Sequence, residues 1–242
     1  RVCICVPSGI TGVESRACVN AAVSAGARKV YLIEEPVAAA LGAGLDLSVP
    51  RGRFILDMGG GTTDIAVLSL NGIVCKKSIK LAGRKLDEAI VRCVRTDRNV
   101  LIGEKMAERI KIEVGSVFYT EDKEMEAKGR NLHTGLPEKF VIRTSDIYDA
   151  LMEQVMQIVT AVQHILEITP PELSADIWED GLIMTGGGAM LHGLGDLISQ
   201  HAKIKVRLAE HPVECVAIGT ALSFSKLDEL YDGFVTPSTH TH

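Results

Sequence analysis

The stretch that decides the fold is Leu56-Asp57-Met58-Gly59-Gly60-Gly61-Thr62-Thr63-Asp64. An apolar strand pattern leads into it at residues 54–56, and another leaves it at residues 65–70. Asn71-Gly72 follows as a type I′ turn signal, and residues 73–81 supply the next strand. The glycines therefore lie between two strands of a meander, not between a strand and a helix. Consecutive glycines let several backbone N–H groups converge on one anion, with no Cβ in the way. Asp57, ending the incoming strand, is placed to hold Mg²⁺ through water beside phosphate oxygens. A tight hairpin whose glycines only relieve strain is the competing reading. The flanking Asp57 and Thr62-Thr63-Asp64 favour the anion site. The segment is neither a Walker A loop, since the Lys-Ser/Thr is missing, nor a dinucleotide fingerprint, since no helix follows directly.

Upstream, residues 2–6 alternate as a strand closed by Pro7-Ser8-Gly9. Val13, Ala17, Ala21 and Ala25 recur at spacing four and predict a helix that stops at Gly26. Residues 30–33 form another strand, and Pro36 opens a short Ala-rich helix over residues 36–43. This strand–helix–strand–helix opening predicts an α/β layer. Glu34-Glu35 stands at the mouth of that helix. A carboxylate there can orient a nucleophilic water. On these residues alone the simpler reading holds: two acids interacting with the helix dipole.

Downstream, residues 84–117 are helical in two pieces broken near Asn99. Met106, Ile110, Val114 and Val117 share one face of the second piece. Glu108, Lys111 and Gly115 lie opposite. That face is either solvated or, with Gly115 permitting close approach, suited to a sugar and base edge. Short strands are expected at residues 125–129 and 139–143. Ser145 is the expected N-cap of a long helix buried through Ile147, Leu151, Val155, Ile158, Val162 and Ile165 and ended by Pro170-Pro171. A strand at 182–184 runs into Gly186-Gly187-Gly188. A strand near 204–208 and a last helix from Pro212 to about Phe224 complete the order. The Thr/His-rich end is expected to be disordered.

Composition narrows the classes. The 242 residues are 46% hydrophobic and 24% charged, an ordinary globular mixture. A net charge of −5 argues against nucleic acid as a partner. No apolar run reaches the ~18 residues of a membrane span, and residues 1–6 do not read as a signal peptide. The six cysteines form no CxxC pair, so free thiols are expected. Opening inside a strand suggests the later part of a longer protein.

In this order the clusters resemble the actin/Hsp70/sugar-kinase ATPase superfamily, and within it the bacterial actin homologues of the MreB rod-shape-determining family. The resemblance rests on CVPSGIT (5–11), YLIEEPVAAALGAGL (31–45), LDMGGGTTDIAVLSLNGIV (56–74), NVLIGEKMAERIKIEVGSVF (99–118), GRNLHTGLP (129–137) and MTGGGAMLHGL (184–194). It implies an α/β fold of the actin-like, ribonuclease H-like type: the remainder of a first lobe plus a complete second lobe, with ATP and Mg²⁺ in the cleft. Residues 1–52 would be the first-lobe core. Residues 53–83 and 145–225 would be the second-lobe core, its last helix returning toward lobe one. Residues 84–144 would be a small subdomain and 226–242 a tail.

Carried over residue by residue, the resemblance gives Asp57 the magnesium role. Gly59, Gly60, Gly61 and Thr62 become the second phosphate loop. Glu35, aided by Thr62, would position the attacking water from the opposite lobe. Glu108 and Lys111 would approach the ribose and adenine, and Gly186, Gly187, Gly188 and Ala189 would close over the nucleoside. The family's slow ATP hydrolysis is coupled to polymerisation. Its filaments are cytoplasmic and membrane-associated, and they organise the cell-wall elongation machinery at the inner membrane face, maintaining rod shape.

Two departures stand out. The family's first phosphate loop, an Asp-x-Gly-Thr-x-Asn hairpin, is absent, as are the first lobe's small subdomain and the membrane-inserting elements. The chain is thus expected to be a truncated, inactive fragment. Arg84 also stands where the family usually has an acidic or small polar residue. An Hsp70-type chaperone ATPase domain is the alternative, but it should continue into a linker and a β-rich domain. A small-molecule kinase would need a catalytic Asp for a substrate hydroxyl.

Overall fold

Strand β1 (Val2–Val6) lies parallel to β2 (Val30–Glu34), joined through α1 (Gly12–Ser24). The structure, a computed structural model, describes residues 1–118, 121–226 and 234–235. Helix α1 starts from a capping box: the Thr11 hydroxyl accepts the Glu14 N–H, and the Glu14 carboxylate accepts the Thr11 N–H. The Val13–Ala17–Ala21–Ala25 row that signals this helix faces solvent, and Val13 is 69% exposed. Ser15 is buried instead, with Cys18, Val19 and Ala22 half-buried beside it. A row of small residues leaves the choice of buried face to tertiary packing.

Helix α2 (Glu35–Gly42) follows β2 without a break. A meander comes next: β3 (Arg53–Met58), β4 (Thr63–Ser69) and β5 (Gly72–Ile79), all antiparallel. The tight turn falls one residue earlier than Asn71-Gly72. Ser69 pairs with Gly72, so Leu70 and Asn71 take the left-handed conformation. Their N–H groups bond the carbonyls of Val49 and Leu47, and these contacts fix the register.

Helix α3 (Gly83–Arg98) ends at a left-handed Asn99. Strand β6 (Val100–Leu101), α4 (Glu104–Val114), β7 (Glu124–Asn131) and β8 (Pro137–Arg143) complete a small three-stranded antiparallel layer. Val117 lies beyond α4 yet is fully buried. Helix α5 (Thr144–Ile168) buries all six expected residues. Its N-cap is Arg143 rather than Ser145. Asp146 accepts the Arg143 N–H at 2.9 Å, while Ser145 donates from its amide and hydroxyl to Asp122.

The remaining elements are α6 (Pro171–Asp180), β9 (Leu182–Thr185), α7 (Leu194–Ala202), β10 (Val206–Leu208), α8 (Cys215–Leu222) and β11 (Phe234–Val235). Strand β11 pairs antiparallel with β2, so residues 234–235 are not part of a disordered tail: two β-favouring apolar residues complete the open edge of β2. Residues 227–233 and 236–242 lie outside the described residues. No helix among the described residues is long and apolar enough to cross a membrane, and all six cysteines are free thiols.

The five-stranded sheet, ordered β10-β9-β3-β4-β5, carries two cores. Phe54, Leu56, Met58, Ile65 and Val67 face helices α3, α5 and α7. The intervening Ile55, Ala66 and Leu68 face α2, together with Val37–Leu41 and Leu47. Helix α8 crosses α2 at backbone contact. A Cβ on Gly219 would lie 1.7 Å from the Ala38 carbonyl oxygen, and one on Gly42 would lie 1.8 Å from that of Cys215. Glycine at both positions lets the last helix pack back against α2 beside the first sheet.

Candidate nucleotide site

Strand β3 delivers Asp57 to the C-terminal end of the central sheet, the usual ligand position in α/β folds. The carboxylate is buried at 4% exposure, and Oδ1 accepts the Thr185 hydroxyl at 2.7 Å. Burial raises its pKa to about 6; the Thr185 hydrogen bond opposes this, and nearby Asp64 adds to it. Among the described residues no cluster of three or more His, Cys, Asp or Glu encloses a metal. One buried carboxylate beside an open turn fits a hard cation that takes its other ligands from water and phosphate, the preference of Mg²⁺.

The glycine turn after β3 is open where an anion would sit. A Cβ on Gly61 would meet nothing within 4 Å, and one on Gly60 would meet only the Arg84 Nε, at 3.8 Å. The Gly59 N–H is engaged by the Thr62 carbonyl, which closes the hairpin. The turn is stapled to the start of α3: Gly83 and Arg84 donate their N–H groups to the carbonyls of Gly59 and Gly60 at 3.2 and 2.9 Å.

Glu35 reaches the same end of the sheet from α2. Thr62, Asp64 and Asp57 stand close enough to act on its carboxyl. The structure thus already holds together Glu35 and Thr62, expected on opposite lobes. Burial, then the charges of Asp64 and Asp57, push Glu35 up to about 7. Asp64 was not among the expected site residues. It is fully buried; Oδ1 accepts the Ser8 N–H at 3.0 Å, and Oδ2 has no donor of its own. The signal was in the sequence, in the acid that follows Thr62-Thr63 and points inward by strand alternation. Glu34, by contrast, is a tie between sheets: both its oxygens lie 2.6 Å from the Lys76 ammonium on β5.

A cavity of about 570 Å³ opens between α3 and the start of α4, lined by Arg84, Asp87, Glu88, Gly103, Glu104 and Glu108 among others; of these, Arg84 also stands beside Gly60 of the turn. Glu108 thus forms part of this cavity's wall. Lys111 is held behind that wall, ion-paired to Asp87 at 2.8 Å and donating to the Gly83 carbonyl. Gly115 does not face the cavity chemistry assigned to it: a Cβ there would lie 2.3 Å from the Lys111 carbonyl oxygen, so its glycine serves the helix end.

The second glycine turn packs against the first. Gly186, at φ +85°, would place a Cβ 2.3 Å from the Met58 carbonyl oxygen. One on Gly188 would come within 2.6 Å of the Met58 side chain. Gly187 has open space, and Ala189 is buried in the 3-10 turn over Gly187–Met190.

Comparison with known proteins bears on this geometry. A family model described as MreB/Mbl protein matches residues 1–232. The cell shape-determining protein Mbl of Bacillus subtilis is 46% identical over 231 residues, covering 95% of this chain and 69% of its own length. The cell shape-determining protein MreB of Escherichia coli K12 is 48% identical over 229 residues, covering 94% and 66%. The chain thus spans about two thirds of the length of these relatives. Among solved structures, MreB5 of Spiroplasma citri bound to AMPPNP superposes with a TM-score of 0.89 at 36% identity, over 93% of this chain and 68% of that one. A MamK double helical filament superposes at 0.75 with 19% identity, a likeness of fold alone. A sheet carrying two cores, a glycine hairpin ending its central strand and a family match across nearly the whole chain lead to one assignment: the chain belongs to the MreB/Mbl family and has the actin-like fold.

Proposed function

We propose that the chain forms most of a cytoskeletal ATPase that binds ATP with Mg²⁺, assembles with its own kind into filaments and sets cell shape. The observation that carries this reading is the open Gly60-Gly61 turn between buried Asp57 and the Glu35–Thr62–Asp64 cluster. In this reading Gly59–Thr62 cradle the terminal phosphates, Asp57 holds Mg²⁺ through water, and Glu108 meets the sugar. Lys111 braces that wall, and Gly186–Ala189 close the nucleoside side. Mg²⁺, when bound, neutralises phosphate charge. Glu35 accepts a proton from the attacking water, oriented by the Thr62 hydroxyl. Residues 1–52, 53–83 with 145–225, and 84–144 serve as first-lobe core, second-lobe core and small subdomain. The filaments act in the cytoplasm at the inner membrane face, where they organise the cell-wall elongation machinery. The relatives named for cell shape and the nucleotide-bound MreB5 structure support this reading.

The test is phosphate release and ATP affinity of the complete protein, measured side by side. Glu35→Ala slows hydrolysis by roughly 10²–10⁴-fold, the usual worth of a positioned acid–base group, with affinity nearly unchanged. Hydrolysis at the parent rate would reduce Glu35 to an acid at a helix start.

A further inference from the structure

One cation at the mouth of the cavity has no role in the site described so far. Arg84 is the second residue of α3, and its backbone N–H is bonded to the Gly60 carbonyl. Its Nε lies 3.8 Å from where a Gly60 Cβ would project, so the guanidinium starts at ordinary contact distance beside Gly60 and leaves the space at Gly61 open. The side chain is exposed and forms part of the cavity wall.

Of the cations around this cavity, Lys105 on α4 lines it without an ion pair among the described residues, and three others are committed. Lys111 is paired to Asp87, and Lys85 and Arg92 are paired to Glu88. Among the described residues, Arg84 has no carboxylate within ion-pair distance. A guanidinium is rigid, always charged and forked to match two oxygens of one phosphate. The positive end of the 16-residue α3 adds to the same field.

We propose that Arg84 is a phosphate-binding, specificity-determining residue, whose guanidinium engages the terminal phosphates of a nucleoside polyphosphate held on the Gly60-Gly61 turn. The proposal rests on reading that turn as a phosphate loop. A Walker-type Lys is absent from the turn, and Arg84 supplies a fixed cation from the next helix instead. It selects for polyphosphate over nucleoside, because a bare nucleoside brings no oxygens to the fork.

The test measures binding of ATP with Mg²⁺, ADP and adenosine to the parent protein and to Arg84→Ala, Arg84→Lys and Lys105→Ala. Lys105 lines the same cavity from α4, so its loss removes one charge from the site without touching the glycine turn. Arg84→Ala is expected to weaken ATP and ADP by roughly 10–100-fold and leave adenosine within about twofold. Arg84→Lys recovers part of the loss. Lys105→Ala costs less than about threefold, and the salt dependence of ATP binding flattens only in Arg84→Ala. Unchanged ATP affinity in Arg84→Ala would overturn the proposal, as would an equal loss for adenosine, which marks a structural role. A parent protein that binds none of the three overturns the phosphate-loop reading and this proposal with it.

Discussion

The two glycine turns, Gly59–Gly61 and Gly186–Gly188, look alike in sequence and meet in space, but they use glycine for different reasons. In the first, the missing Cβ atoms leave room: nothing occupies the volume beside Gly61, and only a flexible arginine end approaches Gly60. In the second, Gly186 and Gly188 let the chain lie directly on the backbone of Met58 and Gly59. One turn is open to a ligand, and the other is the support that holds the open turn in place. A run of glycines therefore announces a close approach without saying whether the approaching partner is a ligand or the protein's own backbone.

The largest effect that tests this contrast belongs to the support. Gly186→Ala meets the Met58 carbonyl and forces a side chain onto a φ of +85°. Strain in that glycine-only region and overpacking each cost about 1–3 kcal/mol, so a loss of about 3–5 kcal/mol is expected. Denaturant unfolding measures it. A loss below about 1 kcal/mol would mean that the two turns are not packed as described.

Next comes the carboxylate between the turns. Asp57→Asn keeps the shape and the Thr185 contact but removes the charge. Affinity for ATP with Mg²⁺ is expected to fall about 10–100-fold, as for groups that hold a metal through water. Affinity for ATP without Mg²⁺ should stay nearly constant. Equal losses with and without Mg²⁺ would assign Asp57 to packing of the second turn instead.

What the sequence showed and what it hid follow the same division between local and distant causes. The strands of the meander were legible because alternation at period two is local. So was α5, whose apolar residues recur along one face. Helix α6 buries only Ile177 completely, so it presents no stripe to detect. Helix α7 is nine residues long, and its buried Leu194, Leu197 and Ile198 follow a turn signal that hides its start. Strand β11 exists through pairing with β2, some 200 residues away in sequence, which no local pattern records. Around the turn, Asp57 and Thr62 stand out by motif position, while Glu35 on its own residues reads only as an acid at a helix start and gains a site role through the family resemblance. The full burial of Asp64 beside Ser8 depends on β1 folding against β4, which the local pattern does not record.

A third, smaller effect probes the open turn through pH. Glu35 titrates at about 7 in the fold against an ordinary value of 4.5. Between those values the folded state holds more protons than the unfolded state. This group's contribution therefore destabilises the protein as pH rises from about 4.5 to 7, and levels off above. Glu35→Gln is a neutral isostere that does not titrate, so it removes that slope. The slope due to Asp57 remains in both proteins. The difference in stability between Glu35→Gln and the parent should grow with pH by about 1 kcal/mol, allowing for solvent screening of a half-buried group. Thermal unfolding from pH 5 to 8.5 reads it, and a constant difference would show that burial beside Asp64 and Asp57 does not raise Glu35.

The smallest effect on stability carries the sharpest contrast. Gly61 has ordinary negative φ and empty space beside it, so Ala fits there without a clash. Removing glycine's freedom from the unfolded chain should stabilise the protein by about 0.4–1 kcal/mol, the opposite sign from Gly186→Ala. The added methyl projects into the volume a phosphate would occupy, so ATP affinity should fall several-fold while stability rises. Only a ligand-facing glycine gives that pair of opposite signs: a glycine serving the fold loses stability first and affinity as a consequence. If Gly61→Ala binds ATP as tightly as the parent, the open space beside the turn is solvent and not a phosphate site. The contrast between the two turns would then reduce to one of packing.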